Sequence, residues 1–144
     1  MTLLTSPAQP LFDEAAGLLD QYRQHYGANP APDAALEWMR EQVSFERMRI
    51  YLAQDAVGLC TVATTPAALT LRTVWLVRDL YVRPDARRRG VARALLDQVA
   101  EDAREAGAHR LSLQTETSNV RAVELYARDG FHALTDVTVM DRVL

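Results

Sequence analysis

Residues 82–100 read "VRPDARRRGVARALLDQVA", with three consecutive arginines, Arg87, Arg88 and Arg89, set beside Gly90. Like charges repel, so crowding them calls for a reason. On the N-terminal side, "TLRTVWLVRDLYVRP" (70–84) is a long strand candidate rich in Val, Leu, Trp and Tyr, which Pro84 ends. On the C-terminal side, Val91, Leu95 and Val99 recur at helical spacing, and Gly107 stops a helix expected over 89–106. A helix that begins at Arg89 or Gly90 leaves backbone N–H groups unpaired at its positive end. Gly90 removes a side chain where an anion would approach the backbone, and arginines add charge-assisted hydrogen bonds. These are the parts of a pyrophosphate cradle. No Gly-Lys-Ser/Thr follows, so it is not a P-loop. The remaining glycines of a dinucleotide fingerprint are missing too. The competing reading is a basic, solvated helix start.

Working outward, "LFDEAAGLLDQYRQHY" from Leu11 places Leu11, Ala15, Leu18 or Leu19, and Tyr22 on one helical face. "GANPAP" breaks that helix, and Asp33 can cap a second one carrying Leu36, Met39 and Val43. "RIYLA" and "AVGLCTVAT" read as strands, with Gln54 and Asp55 near the turn between them. Beyond the central helix, "RLSLQTE" is a short strand, residues 120–129 are helical up to Gly130, and "FHALTDVTVMDRVL" finishes as one or two strands. The order is that of a mixed α/β sheet in a single domain, 1–144.

Composition narrows the function. A chain of 144 residues supports one domain with a proper core. With 49% hydrophobic and 24% charged residues the composition is globular. A net charge of −3 argues against a nucleic-acid or anionic-membrane partner, so the arginines are a local feature. No segment reaches the ~18 to 20 apolar residues of a membrane span, and no signal peptide is visible, which makes a soluble cytoplasmic protein the expectation. The single cysteine, Cys60, sits in an apolar run and reads as a buried thiol. His25, His109 and His132 stand without partners in the sequence, and no Cys/His/Asp spacing suggests a metal.

Arg87-x-x-Gly90-x-Ala92 resembles the Arg/Gln-x-x-Gly-x-Gly/Ala motif of the GNAT superfamily of acyl-CoA-dependent N-acyltransferases, and it lies where that family places it, between a long strand and the central helix. "NVRAVELYARDGF" (119–131) is similar to the second signature, Asn-x-x-Ala-x-x-Leu-Tyr-x-x-x-Gly-Phe. The resemblance is clear over 75–131 and looser back to Tyr51 and on to the C-terminus. It implies a mostly antiparallel central sheet with one splayed strand pair, flanked by helices, and acetyl-CoA as cosubstrate without a metal.

The resemblance also implies roles for named residues. Backbone amides of Arg88, Arg89, Gly90, Val91 and Ala92 would take the pyrophosphate, with Arg87 at the mouth and Ala92 in place of the commoner glycine. Arg88 or Arg89 would reach the 3′-phosphate, or stand solvated. Leu80, Tyr81 and Val82 would pair their backbone with the pantetheine amides, as another strand would. Asn119 would contact the cofactor, act as a helix N-cap, or do both. Tyr126 would protonate the leaving thiolate, since a tyrosine pKa of ~10 lies above a thiol's ~8.5. Its alternative role is that of a packed helix tyrosine. The glutamate found in many members two or four residues before Leu80 is absent, with Arg78 and Leu76 there instead. Asp79 and Glu116 remain as candidates for the base.

The expected activity is transfer of an acetyl group to a primary amine, small-molecule or peptide, by direct attack in a ternary complex. The acceptor would lie over the N-terminal helices near Trp75 and Tyr81, with residues 66–75 shaping the pocket. One rival is a non-catalytic acyl-CoA-binding regulator, which turnover with any amine would exclude. The other is a nucleic-acid module using the basic turn, which salt-dependent RNA binding would reveal. The alternating "VTVMDRVL" (137–144) suggests an exposed edge strand and hence a homodimer.

Overall fold

The computed structural model describes residues 1–144. The chain forms two compact units, Met1–Gln114 and Thr115–Leu144. The first contains, in chain order, β1 (Thr2–Leu4), α1 (Phe12–His25), α2 (Pro32–Ser44), β2 (Arg49–Leu52), β3 (Gly58–Ala67), β4 (Arg72–Val82), α3 (Val91–Glu105) and β5 (Arg110–Leu113). The second contains one helix, α4 (Val120–Arg128).

The strands form one sheet in the order β1-β2-β3-β4-β5. Every neighbouring pair is antiparallel except β4 and β5, which run parallel. Alternation along β2 shows where the helices sit. Ile50 and Leu52 join Leu59 and Tyr81 in a core with α1 and α2, whereas Tyr51 donates its hydroxyl to Asp102 of α3 at 2.9 Å. The helices therefore cover opposite faces. On the α3 side Leu95, Leu96 and Val99 are completely buried, each side chain contributing ~1.5–3 kcal/mol. Burial, and then the hydrogen bond to Asp102, raises the Tyr51 pKa.

One irregularity shapes the sheet. Thr61 pairs with Asp79 but its neighbour Val62 pairs with Val77, so Arg78 has no partner and forms a β-bulge. Pairing with β5 covers only Val74, Trp75, Leu76 and Val77 and stops at that bulge, while β4 continues to Val82. β5 itself ends at Leu113, so the last five residues of β4 have no β5 partner.

Several local expectations need correction. Leu11 does not belong to the buried helical face; it stands outside α1 at φ 69° and is exposed, and Phe12 takes the core position. Asp33 does not cap α2, which opens on Pro32 at its first position. The connection is held instead from α1 by buried Asp20, whose carboxylate accepts from Arg23 (2.6 Å), Gln24 (2.9 Å) and the Ala31 N–H (3.1 and 3.2 Å). The central helix begins at Val91 and not at Arg89, and β1 had no strong signal in its three residues. Residues 131–144 form no strand. Their alternation marks two faces, but a strand also needs a partner, and the sheet consists of β1–β5. The edge strand behind the expected homodimer is therefore not formed.

Candidate active site

The free end of β4 runs into the arginine and glycine turn. The Arg83 N–H donates to the Val57 carbonyl at 2.9 Å, and its guanidinium holds Asp85 through two bonds, 3.1 and 2.6 Å. Those bonds keep the Asp85 carboxyl below its usual range. After a single helical turn, Pro84–Ala86, Arg87 is extended, Arg88 is left-handed at φ 65°, and Gly90 is left-handed at φ 80° as the N-cap of α3. A left-handed conformation costs about 1–2 kcal/mol for a residue with a side chain and almost nothing for glycine. No side chain caps α3. Its first backbone bond runs from the Ala94 N–H to the Gly90 carbonyl at 2.9 Å, so the N–H groups of Val91 and Ala92 lie ahead of it at the positive end of the dipole. Arg87, Arg88, Arg89 and Gly90 are all exposed. A Cβ added at Gly90 would meet nothing within 4 Å, so the space beside the turn at that residue is open. An exposed basic turn with open backbone donors fits a pyrophosphate. Arg87 folds back on the strand end, where Nε donates to the Val82 carbonyl at 2.9 Å and the guanidinium lies 5.9 Å from the Tyr81 ring centre.

Gly58 adds to these residues, since a glycine inside the apolar run "VGLC" marks a close backbone approach. It pairs with Val82. A Cβ here would lie 2.9 Å from the Tyr81 carbonyl oxygen, 3.1 Å from Val91 Cγ1 and 3.2 Å from Val82 Cγ2. Gly58 thus lets the end of β4 and the start of α3 close on each other. Gly58→Ala should lower stability by ~1–3 kcal/mol, as overpacking does, and weaken acyl-CoA binding by shifting the strand end. Melting temperature and cofactor affinity, measured together, check this; an unchanged affinity would limit Gly58 to packing.

Asp79 and Tyr81 lie on the other face. The bulge at Arg78 resets the alternation, so Trp75 and Val77 face α3 while Asp79 and Tyr81 face α1. Trp75 is buried beneath the Arg49 guanidinium at 4.9 Å. The expected shared pocket of Trp75 and Tyr81 is therefore not formed. Thr61, fully buried opposite Asp79, donates its hydroxyl to Asp79 Oδ2. Half-buried Asp79 is thereby fixed in the part of β4 that has no β5 partner. Cys60 is completely buried, and burial pushes its thiol up to about 12, with the Asp79 charge adding to the effect. It stays protonated at neutral pH and is no nucleophile.

The remaining candidates belong to the second unit. Asn119 is the N-cap of α4, its Oδ1 accepting from the Ala122 N–H at 3.3 Å. Glu116 is exposed, and its carbonyl accepts from the Asn119 N–H at 3.0 Å; neither Thr115 nor Ser118 serves as the cap. Tyr126 is half-buried on α4, edge-to-face with Phe131 at 5.9 Å. Gly130, at φ 88°, turns the chain so that the Phe131 N–H reaches the Tyr126 carbonyl at 3.0 Å.

No group of three or more His, Cys, Asp or Glu side chains is placed to hold a metal ion, and no helix is long and apolar enough to cross a membrane. Comparison with known proteins adds to this geometry. An uncharacterized N-acetyltransferase of Bacillus subtilis (strain 168), YhfO, is 28% identical over 119 residues, covering 81% of this chain and 80% of the relative. The crystal structure of a probable acetyltransferase superposes with a TM-score of 0.89 at 26% identity, covering 100% of this chain and 98% of the other. The ribosomal-protein-alanine N-acetyltransferase of Brucella melitensis biovar Abortus 2308 shares the fold, with a TM-score of 0.78 at 23% identity, covering 99% of this chain and 98% of the other. The profile of the acetyltransferase (GNAT) family matches residues 17–131, and the chain belongs to that family.

Proposed function

We propose that the protein transfers an acetyl group from acetyl-CoA to the primary amine of a small molecule or peptide, by direct attack in a ternary complex. The observation that carries this reading is a strand whose last five residues run on without a β5 partner and end in an exposed arginine and glycine turn at the start of a helix with no side-chain cap. Both compact units belong to one transferase domain spanning 1–144, a reading supported by a family match that runs across their boundary.

Acetyl-CoA brings the activated acyl group. Amides of Arg88, Arg89, Gly90, Val91 and Ala92 hold the pyrophosphate, and Arg87 closes the mouth. The backbone of Leu80, Tyr81 and Val82, which lacks a β5 partner, binds the pantetheine arm as an added strand. Asn119 contacts the cofactor in addition to its capping role. Asp79 is the base: Thr61 holds one carboxylate oxygen, and the other takes a proton from the acceptor ammonium. Exposed Glu116, with no side-chain hydrogen bond fixing it, is the weaker candidate. Tyr126 hands a proton to the leaving sulfur as the carbon–sulfur bond breaks and the carbon–nitrogen bond forms. The new amide nitrogen sheds its second proton, which through solvent restores the Tyr126 phenol, and Asp79 releases the proton that it took, so each turnover yields the amide, free coenzyme A and one proton.

A panel of amines assayed for release of free coenzyme A tests the activity, and turnover of none would sink it. Gly90→Glu tests the cradle, placing a carboxylate where the pyrophosphate should sit. Its side chain enters open space, so the fold is kept apart from the strain of φ 80°. Acetyl-CoA affinity should fall at least tenfold, ~1.4 kcal/mol. Unchanged affinity in the folded variant removes the anion-site reading.

A further inference from the structure

The last two turns of α1 carry Tyr22, His25 and Tyr26, spaced i, i+3 and i+4 and therefore on one side of the helix. Tyr26 is the residue just past the helix end. It meets Tyr22 at 5.1 Å and His25 at 5.3 Å between ring centres, both edge-to-face. Tyr81 of β4 lies 6.3 Å from Tyr22 and 6.3 Å from His25. The four rings close a circuit that begins at the sheet, where Tyr81 is 7% exposed, and opens to solvent, where Tyr26 is 62% exposed. Tyr81 belongs to the buried core and Tyr22 packs against it, whereas the exposed rings of His25 and Tyr26 go beyond what that core requires. Earlier in α1 the buried positions are filled by Phe12, Ala15, Ala16, Leu18 and Leu19, without an exposed ring among them.

Strand alternation puts Asp79 on the same face as Tyr81, with backbones roughly 7 Å apart, and Asp79 is partly exposed. Asp20 has both carboxylate oxygens committed to Arg23, Gln24 and the Ala31 N–H. Asp13 and Glu14 occupy the first turn of α1, roughly 15–18 Å along the helix axis from His25. Arg87 has its Nε on the Val82 carbonyl, and its guanidinium lies 5.9 Å from the Tyr81 ring centre, a positive charge at the buried end of the cluster. The face therefore combines four rings with the Asp79 carboxylate and the Arg87 guanidinium, beside the strand end assigned to the cofactor.

We infer that this cluster is the wall of the acceptor site, and that the acceptor is a primary amine carrying one positive charge on an aromatic or similarly flat apolar body. The ring of the acceptor packs on Tyr22, His25 and Tyr26, and its ammonium reaches Asp79 past Tyr81. A polyamine or an aminoglycoside would bring several ammonium groups toward the Arg87 guanidinium by Tyr81, which disfavours them against a singly charged amine. This inference rests on the acetyl-transfer reading above.

The test compares phenethylamine, spermidine, kanamycin and an alanine-starting peptide as acceptors with acetyl-CoA, by release of free coenzyme A. Phenethylamine should give the highest kcat/KM, by at least tenfold. Tyr26→Ala, at an exposed position where folding is not at stake, should raise its KM about tenfold, leave kcat within about twofold and leave acetyl-CoA affinity unchanged. Calorimetric binding of phenethylamine should weaken in parallel, a readout that does not need turnover. A structural tyrosine would lower the melting temperature and not move KM. Preference for spermidine, kanamycin or the peptide, or an unmoved KM in Tyr26→Ala, overturns the inference and leaves acetyl transfer standing. Failure of all four acceptors together with absence of acetyl-CoA binding overturns both.

Discussion

Asp79→Asn should lower kcat/KM for the acceptor by ~10²–10³-fold while acetyl-CoA affinity and melting temperature stay close to wild type. Asparagine keeps the shape of the side chain and an oxygen that can accept the hydroxyl of Thr61, so the buried bond opposite the bulge survives. What is lost is the ability to take a proton from the ammonium. The deficit should shrink as pH rises toward the acceptor's own pKa, because an increasing fraction of the amine then arrives already neutral. A purely structural Asp79 would show a pH-independent loss accompanied by a lower melting temperature. The discriminating measurement is the kcat/KM profile between pH 6 and 10 for both proteins, and parallel profiles would end the base assignment. Thr61→Val offers a second probe. It leaves Asp79 ionisable but unfixed, so a positioning role predicts a smaller fall in kcat/KM than Asp79→Asn gives, with the same pH dependence.

The turn at residues 87–90 was legible because its signals are local. Proline ends the strand, glycine permits a left-handed N-cap, and Val91, Leu95 and Val99 repeat at helical spacing. Asn119 as a cap and Gly130 as a stop were legible for the same reason. The bulge at Arg78 was not. Strict alternation along β4 puts Trp75, Val77, Asp79 and Tyr81 on one face, and one unpaired residue divides them between two. Nothing in "WLVRDLY" marks that residue, because a bulge is a property of the pairing with β3. The encounter of Tyr81 with Tyr22 and His25 joins residues more than fifty positions apart in the chain and depends on how α1 packs. Asp20 could not be recognised as the anchor of the α1–α2 connection, since its partner is a backbone N–H eleven residues away. Residues 131–144 show the opposite failure, with a clear local pattern and no strand.

Tyr126→Phe should reduce kcat by ~10²-fold with acetyl-CoA affinity almost unchanged. Phenylalanine preserves the ring, and with it the edge-to-face contact to Phe131 at 5.9 Å and the half-buried position on α4. Only the hydroxyl goes. If that hydroxyl protonates the departing sulfur, its loss leaves a thiolate to depart without a proton donor, a penalty that exists in the transition state and not in the bound ground state. The fall should therefore appear in kcat and kcat/KM alike, with KM for the amine little changed. A tyrosine retained for packing gives the reverse, a lower melting temperature with turnover per folded molecule preserved. Single-turnover mixing of the acetyl-CoA complex with the amine isolates the chemical step from product release. An equal single-turnover rate in the folded variant would remove Tyr126 as the acid and leave protonation of the sulfur to solvent.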